Sequence, residues 1–236
     1  MLDLLCPVCG GRLVRKEKAW RCENHHCFDV ARSGYVNLLP PSASGKRHGD
    51  DKRMVAARTA FLSRGYYDHL IGAVAETCAQ LAGPDACVLD AGCGEGTYTR
   101  AIYDALAAKG GCPQLLGADI SAEAVRRAAR QVPEGIFCAA STAHLPLAAE
   151  SLDLIVNIFS PLMAEEFLRV LKPGGTFLIC NESNGDSDRD EKWTEIIGGM
   201  TIYKDAELKT YLEQAGFHDI QIHKKKSWLC VTARKR

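Results

Sequence analysis

The residues best suited to bind a metal lie within the first 30 positions of the chain. Cys6 and Cys9 form a Cys-x-x-Cys pair followed by two glycines, and Cys22 comes thirteen residues after Cys9. Thiolates and imidazoles on two short loops are the usual ligands of tetrahedral structural zinc. Three residues could supply the fourth ligand, and spacing alone leaves all of them open: His25, His26 and Cys27. The pattern predicts a zinc ribbon, because a segment of about 35 residues with few aliphatic side chains is too small to fold without a metal.

A second group of residues suits a nucleotide-like cofactor. An apolar strand over 87–89 ends in Asp90, a turn carries Gly92, Gly94 and Gly96, and an amphipathic helix follows. Glycines permit a sharp bend and let a ligand approach the backbone N–H groups at a helix start. The next strand ends in Asp119, where a carboxylate can accept hydrogen bonds from two ribose hydroxyls. The order Asp-x-Gly-x-Gly-x-Gly differs from the Gly-x-Gly-x-x-Gly of dehydrogenases.

The elements that must position these residues alternate regularly. Helical patterns at 121–131 and 163–171 are interleaved with the apolar strands GIFCAA, LDLIVNIF and TFLIC. Alternation of this kind predicts an α/β fold with a doubly wound, mostly parallel sheet. A Pro-, Ser- and Gly-rich stretch near residue 40 reads as a linker. We therefore expect a zinc ribbon at 1–39, a linker and helical connector at 40–82, and the α/β domain at 83–236.

Composition and charge narrow the class of protein. With 47% hydrophobic and 25% charged residues the chain reads as globular. It lacks an apolar run of the ~20 residues that a membrane span needs, and no signal-peptide pattern opens it, so we expect a cytoplasmic protein. Several of the 11 cysteines lie in apolar strands, among them Cys180 and Cys230, which indicates reduced thiols rather than a disulfide framework.

The zero net charge conceals two basic ends. Residues 1–64 hold 12 lysines and arginines against 6 acidic residues, whereas residues 65–223 hold 11 against 23. Residues 224–236 add 6 basic residues and no acidic one. Such ends are either a solvated surface or an electrostatic contact for nucleic acid.

Several motifs together resemble one family. "CPVC", "CENHHCFD", "GYVNLLP", "VLDAGCGEGTYT" and "PLMAEEFLRVLKPGG" are similar to the large-subunit ribosomal RNA guanine-N1 methyltransferases with an N-terminal zinc ribbon. These enzymes use S-adenosylmethionine on a class I, Rossmann-like domain with a seven-stranded, mostly parallel sheet. The resemblance implies that His26, two residues before the Phe-Asp pair, completes the zinc site with Cys6, Cys9 and Cys22.

The resemblance also implies a cofactor site. In the family, Tyr67, Gly94 and Glu95 would touch the cofactor, and Ser141 stands where generic class I enzymes place an Asp near the adenine. The full set expected at the cofactor is Tyr67, Asp90, Gly92, Gly94, Glu95, Gly96, Asp119, Ile120, Ser141, Thr142 and Asn157.

The catalytic residues are less well defined. Past residue 180 the chain departs from the family and looks more like small-molecule class I methyltransferases. Guanine N1 carries a proton that a nearby acceptor must take, and the candidates are Asp50 or Asp51, Asn157 and Glu182. The sequence "NIFSP" lacks the motif that holds an exocyclic adenine nitrogen.

The sequence leads to three hypotheses about function, of which two are enzymatic and one involves no catalysis. The first is methyl transfer to N1 of a guanine in large-subunit ribosomal RNA, with structural zinc and S-adenosylmethionine as cofactors and the ribbon gripping the RNA. The alternative is methylation of a small metabolite, with the ribbon as a lid or as a contact in a homodimer. The third is a cofactor-binding module without activity.

Overall fold

The computed structural model describes residues 2–40, 49–182, 205–225 and 228–236. The first elements are short strands of the ribbon: β1 (Val14–Lys16), β2 (Ala19–Arg21) and β3 (Cys27–Asp29), which pair antiparallel in that order. Then follow β4 (Val36–Asn37), α1 (Lys52–Leu62) and α2 (Asp68–Leu81). The segment 183–204, where the resemblance ends, lies outside the described residues.

The α/β domain continues from β5 with alternating elements. They are β5 (Cys87–Ala91), α3 (Thr97–Ala107), β6 (Gln114–Asp119), α4 (Ala122–Gln131), β7 (Ile136–Ala139), β8 (Leu152–Ile158), α5 (Ala164–Val170), β9 (Leu171–Glu182), α6 (Asp205–Ala215), β10 (Phe217–Lys225) and β11 (Trp228–Lys235). The two helices expected at 121–131 and 163–171 are thus present, each shorter by one or two residues. Among the described helices none is both long and apolar enough to cross a membrane.

One sheet of eight strands organises the domain, in the order β10-β11-β9-β8-β5-β6-β7-β4. The six neighbouring strands from β9 to β4 run parallel to one another. Strand β11 runs antiparallel to both of its neighbours, β9 and β10. Seven strands were expected. The eighth is β4, which follows the ribbon and pairs with β7, because Val36 and Leu38 are apolar enough to be buried there.

The order of strands reverses between β5 and β8. Chain connections from β5 lead outward through β6 and β7, whereas β8 and β9 lie on the other side of β5. In open α/β sheets the crevice at such a reversal, beyond the carboxyl ends of the strands, is where ligands bind. The glycine turn after β5 and Asn157 near the end of β8 both lie at this edge.

The ribbon shares its core with the α/β domain. Leu2, Leu4, Leu13 and Trp20 are buried in the cluster that includes the domain residue Leu147. Leu4 forms an antiparallel bridge with Leu147, and Leu5 N donates to Pro146 O at 2.8 Å. Burial of these side chains compensates for the small apolar content of the ribbon itself.

The prediction of reduced thiols is wrong for one pair. Cys180 of β9 and Cys230 of β11 are directly opposite partners in the antiparallel register and form a disulfide. Their Cα atoms are 4.4 Å apart, within the range that a disulfide spans. The two residues are 50 positions apart, so strand pairing alone brings them together.

Candidate functional site

Four side chains of the ribbon converge on one point. Cys6, Cys9, Cys22 and His26 each place a ligand atom within 4.8 Å of the others. The Sγ atoms of Cys9 and Cys22 are 3.7 Å apart, and His26 Nδ1 lies 3.6 Å from Cys6 Sγ and 3.4 Å from Cys22 Sγ. Tetrahedral zinc with Zn–S bonds of ~2.3 Å separates two sulfurs by about 3.8 Å. The cluster is therefore suited to Zn²⁺.

Two tight loops hold the ligands in place. Gly10, with a φ of 72°, turns the first loop so that its N–H donates to Cys6 O at 2.8 Å. In the second loop, His25 N donates to Cys22 O at 3.1 Å, with His25 itself at a φ of 63°. This second turn brings His26 to the sulfurs. Cys27, the other candidate, is exposed at the start of β3 and lies outside the cluster.

The thiols of the cluster differ in acidity. A hydrogen bond with Asn24 is the main cause that lowers the pKa of Cys9 to about 6. Burial raises the pKa of Cys6 from its ordinary value. Thiolate is the form that binds a metal, so the lowered pKa of Cys9 favours its metal-binding form.

The three glycines of the cofactor loop have different surroundings. A Cβ on Gly96 would lie 2.7 Å from the Cα of Ala128, and one on Gly92 would lie 2.1 Å from Ser160 Oγ. A Cβ on Gly94 would meet no atom of the described residues within 4 Å. Gly96 therefore lets α3 pack against α4, while Gly94 borders open space that a ligand can fill.

Asp90 lies beneath this loop. Its carboxylate is buried and accepts a hydrogen bond from Thr99 Oγ1 at 2.6 Å. Burial raises the pKa of Asp90 to about 7, although the Thr99 hydrogen bond opposes the shift. Asp90 thus joins the end of β5 to the first turns of α3.

Asp119 stands at the carboxyl end of β6, next to the loop. Its Oδ2 accepts from Gly94 N at 3.0 Å and its Oδ1 accepts from Ser121 N at 2.8 Å. Burial raises the pKa of Asp119, and these two N–H groups oppose the shift. Each carboxylate oxygen has a further lone pair for a ligand hydroxyl.

The start of α1 covers this part of the site. Asp50 O accepts from Ser121 Oγ at 2.7 Å, and the Asp50 carboxylate pairs with Arg58. A Cβ on Gly49 would lie 2.8 Å from Ile120 Cγ2, so the backbone there packs closely on Ile120. Asp50 is thus placed beside the end of β6. Asp51, the other acidic candidate, caps α1 by accepting from the backbone N–H of Arg53 and Met54.

The remaining cofactor candidates lie around the same edge. Glu95 is buried, and its Oε2 accepts from Thr97 Oγ1 and Gln131 Nε2, which ties the loop to α4. Ala140 N donates to Asp119 O at 3.0 Å, which places Ser141 and Thr142 beside Asp119.

Aromatic rings form a wall that the sequence predicted only in part. Tyr67 contacts Phe159 edge-on at 5.9 Å between ring centroids, and Phe159 contacts Tyr98 at 6.5 Å. Phe159 has a φ of 50°, an uncommon conformation for a bulky residue and one that clusters at functional sites. Only Tyr67 was expected at the cofactor. Phe159 belongs to the segment "NIFSP" that the sequence singled out, but nothing in the sequence indicated its contacts with Tyr67 and Tyr98.

Asn157 and Glu182 lie on adjacent parallel strands. Asn157 is fully buried, and its Nδ2 donates to Ala91 O at 3.2 Å and Pro161 O at 3.3 Å. Glu182 is the last residue of β9, at the same edge of the sheet. Asn157 pairs with Ile179 in the register, so Glu182 lies three residues further along β9, and Asp50 lies at the β6 side of the crevice.

Two family models match the chain. The model described as "RlmA, N-terminal", a zinc ribbon, matches residues 4–46, and the model "Methyltransferase domain" matches residues 88–175. Solved structures with the same fold include an S-adenosylmethionine-dependent methyltransferase from Aquifex aeolicus, 22% identical with a TM-score of 0.53 over 65% of this chain and 83% of that one. Geranyl diphosphate C-methyltransferase from Streptomyces coelicolor is 16% identical with a TM-score of 0.56 over 70% of this chain and 76% of that one.

Curated relatives match both parts of the chain. The 23S rRNA (guanine(748)-N(1))-methyltransferase of Streptomyces fradiae is 40% identical over 179 residues, which are 75% of this chain and 62% of the relative. A relative from Micromonospora griseorubida, named provisionally as a 23S rRNA guanine-N1 methyltransferase, is 39% identical in an alignment of length 196 that covers 75% of this chain and 64% of the relative. The chain thus spans less than two thirds of their length. Its N-terminal segment is thus similar to the zinc ribbon of RlmA, and the domain that follows matches a methyltransferase model and has the fold of the solved methyltransferases.

Proposed function

We propose that this protein transfers a methyl group from S-adenosylmethionine to N1 of a guanine in large-subunit ribosomal RNA, in the cytoplasm. The observation that carries the proposal is the similarity, at 39–40% identity over three quarters of the chain, to relatives named for this reaction. The metal cluster and the open space at Gly94 support it independently. The proposed structural metal is zinc, held by Cys6, Cys9, Cys22 and His26.

The residues around Gly94 fit the proposed cofactor. S-adenosylmethionine, when bound, supplies a methyl group on a positively charged sulfur, so the protein has mainly to position the reacting atoms. Asp119 has free lone pairs for the ribose hydroxyls, and Gly94 leaves room for the ligand beside the start of α3. The proposed contacts are Tyr67, Asp90, Gly92, Gly94, Glu95, Gly96, Asp119, Ile120, Ser141, Thr142 and Asn157.

Two further groups of residues support the chemistry. The aromatic wall of Tyr67, Tyr98 and Phe159 can exclude water from the reacting atoms, as methyl transfer requires. The guanine N1 proton must pass to an acceptor, and we place Glu182 first among the candidates because β9 ends at the crevice. Asn157 has an amide, which accepts a hydrogen bond but is not a base. Asp50 is already paired with Arg58.

The ribbon presents a basic surface for the RNA backbone. All three residues of β1 are exposed, including Arg15 and Lys16, and Lys18 follows in the exposed turn. Arg12 is exposed but pairs with Asp3 at 2.8 Å, so Arg15 and Lys18 are the better test. Charge reversal of both should weaken RNA binding and reduce its dependence on salt by about one unit of slope per residue.

The decisive experiment is transfer of tritiated methyl groups to ribosomal RNA from an undermodified host, followed by identification of the labelled nucleoside. We expect N1-methylguanosine. Arg15→Glu with Lys18→Glu should lose transfer to RNA but keep S-adenosylmethionine affinity, whereas Lys209→Glu, an exposed lysine on α6, should lose neither. Transfer only to a small-molecule extract would overturn the RNA proposal and support the metabolite alternative.

The homodimer of that alternative remains a prediction. Light scattering on the purified protein with and without zinc would test it directly. A dimer that dissociates when the ribbon loses its metal would support a role for the ribbon as a subunit contact.

A further inference from the structure

Two buried amide side chains at the crevice have an unused hydrogen-bonding atom each. Asn157 is 0% exposed and Asn181 is 5% exposed. Asn157 Nδ2 faces two backbone carbonyl oxygens, Ala91 O and Pro161 O, which can only accept hydrogen bonds. These contacts determine the orientation of the Asn157 amide, and Asn157 Oδ1 therefore points away from both carbonyls. Within the part of the chain that the structure describes, Asn157 Oδ1 and Asn181 Nδ2 have no hydrogen-bond partner. A buried polar atom without a partner destabilises the folded state, and a ligand that supplies the partner removes this cost.

The two atoms belong to the same face of the sheet. Side chains alternate along a strand, and the residues two positions earlier, Ile155 and Ile179, lie in the same core cluster. In the parallel register Asn157 is the partner of Ile179, so Asn181 lies two residues further along β9. That places the two residues ~6–7 Å apart along the strands and ~4.8 Å apart across them. The residues that carry this acceptor and this donor are thus separated by a distance that the edge of a planar base can bridge.

This position is next to the proposed cofactor site. Asn157 is bonded to Ala91 O, which immediately precedes the glycine loop, and Ser160 packs on Gly92 of that loop. The strand order reverses between β5 and β8. A molecule held between Asn157 and Asn181 would lie on the β8–β9 side of the crevice, with the cofactor on the β5–β6 side.

We propose that Asn157 and Asn181 select guanine by its Watson–Crick edge. Guanine offers an acceptor at O6 and a donor at its N2 amino group, and N1 lies between them. Asn181 Nδ2 donates to O6, Asn157 Oδ1 accepts from the N2 amino group, and N1 is left facing the methyl donor. An adenine would present an amino group to the Asn181 donor, and an inosine base would lack the N2 amino group. The inference rests on the proposed function, since it assumes a flipped-out guanine substrate.

Nucleotide binding tests this without any methyl transfer. GMP, IMP and AMP are titrated by NMR into the protein saturated with S-adenosylhomocysteine. Wild type should bind GMP at least about 10-fold more tightly than IMP or AMP, as expected for a buried atom that regains its partner. Asn157→Leu should bind GMP and IMP equally, at a concentration of S-adenosylhomocysteine shown to saturate this variant, because Asn157 is also among the proposed cofactor contacts. Wild type should also bind IMP more tightly than AMP, because only IMP has the O6 acceptor that Asn181 contacts. Asn181→Leu should lose this preference for IMP over AMP while still preferring GMP over IMP.

Controls separate recognition from folding. Thr176→Val changes a buried polar residue five positions before Asn181 on β9 and should leave all three affinities unchanged. Asn157→Leu also removes two hydrogen bonds to the backbone. Asn181→Leu removes none that the structure records, so it carries the test even where Asn157→Leu fails to fold.

The outcomes distinguish this inference from the proposed function. Equal GMP and IMP affinities in wild type, including no measurable binding of either, would overturn the inference. So would an Asn181→Leu variant that still binds IMP more tightly than AMP. Methylation of ribosomal RNA guanine together with either result leaves the proposed function standing. If the nucleotide affinities are as predicted but no RNA is methylated, the proposed function is refuted, while the assignment of Asn157 and Asn181 as a guanine-binding pair stands.

Discussion

Two glycines of the cofactor loop should respond to one added methyl group by different amounts in stability and in cofactor binding. Gly94 has a φ of 54° and Gly96 a φ of 98°, so alanine at either position adopts a left-handed backbone at a cost of about 1–2 kcal/mol. At Gly94 the new Cβ meets no atom, and the conformational cost is the whole loss of stability. At Gly96 the Cβ lies 2.7 Å from the backbone of α4, which adds about 1–3 kcal/mol of overpacking.

The expected changes are therefore distinct in stability and in binding. Gly94→Ala should lower the free energy of unfolding by about 1–2 kcal/mol, and Gly96→Ala by about 2–5 kcal/mol. Gly94→Ala should weaken S-adenosylmethionine binding more than about 10-fold, because the methyl group fills space that the ligand needs. Urea denaturation measures the first quantity, and isothermal titration calorimetry measures the second.

Gly110 offers a matched control for the backbone effect. It has a φ of 82° and, like Gly94, no atom within 4 Å of an added Cβ, but it follows α3 at the end remote from the loop. Gly110→Ala should lose similar stability and no cofactor affinity. If Gly94→Ala binds the cofactor as wild type does, the open space is not the cofactor site. If Gly96→Ala is as stable as Gly94→Ala, the close contact between α3 and α4 is not rigid.

Three further predictions concern the metal and the buried acid. His26→Ala should lower zinc affinity by more than about 100-fold, whereas Cys27→Ala should retain a full equivalent of zinc by mass spectrometry; the reverse would move the fourth ligand to Cys27. Chelation of the zinc should lower the Tm of the whole domain by calorimetry, because Trp20 and its neighbours lie in the shared core, and an unchanged main transition would contradict this. Burial raises the pKa of Asp90 to about 7 from 3.8, so the folded chain holds a proton that the unfolded chain releases, and this contribution to stability falls as pH rises between those values. Asp90→Asn, which can still accept from Thr99, should therefore gain Tm relative to wild type between about pH 5 and about pH 8, and a constant difference would refute the shift.

Local patterns predicted most of the architecture, for identifiable reasons. Apolar strands that alternate with helices have few ways to pack other than a doubly wound sheet. Turn chemistry requires glycine at the φ values of Gly92, Gly94 and Gly96, so the loop could be recognised before its geometry was known. The Cys-x-x-Cys spacing predicted the metal cluster for the same reason, since the ligands on each loop are close in sequence.

The tertiary structure decided what depends on contacts between distant residues. Spacing left His25, His26 and Cys27 equal as ligands, and family resemblance favoured His26; the left-handed turn at His25 brings His26 to the sulfurs. The eighth strand and the Cys180–Cys230 disulfide also arise from pairing between segments far apart in the chain.

By itself, then, the sequence determined the zinc ribbon, the α/β class and the glycine loop, because each is encoded by neighbouring residues. Only the tertiary structure separated Gly94, which borders open space, from Gly96, which packs on a helix. It alone also placed Asn157 and Asn181 on one face of adjacent strands with unused hydrogen-bonding atoms. Burial and strand register are properties of the folded chain, and no local pattern carries them.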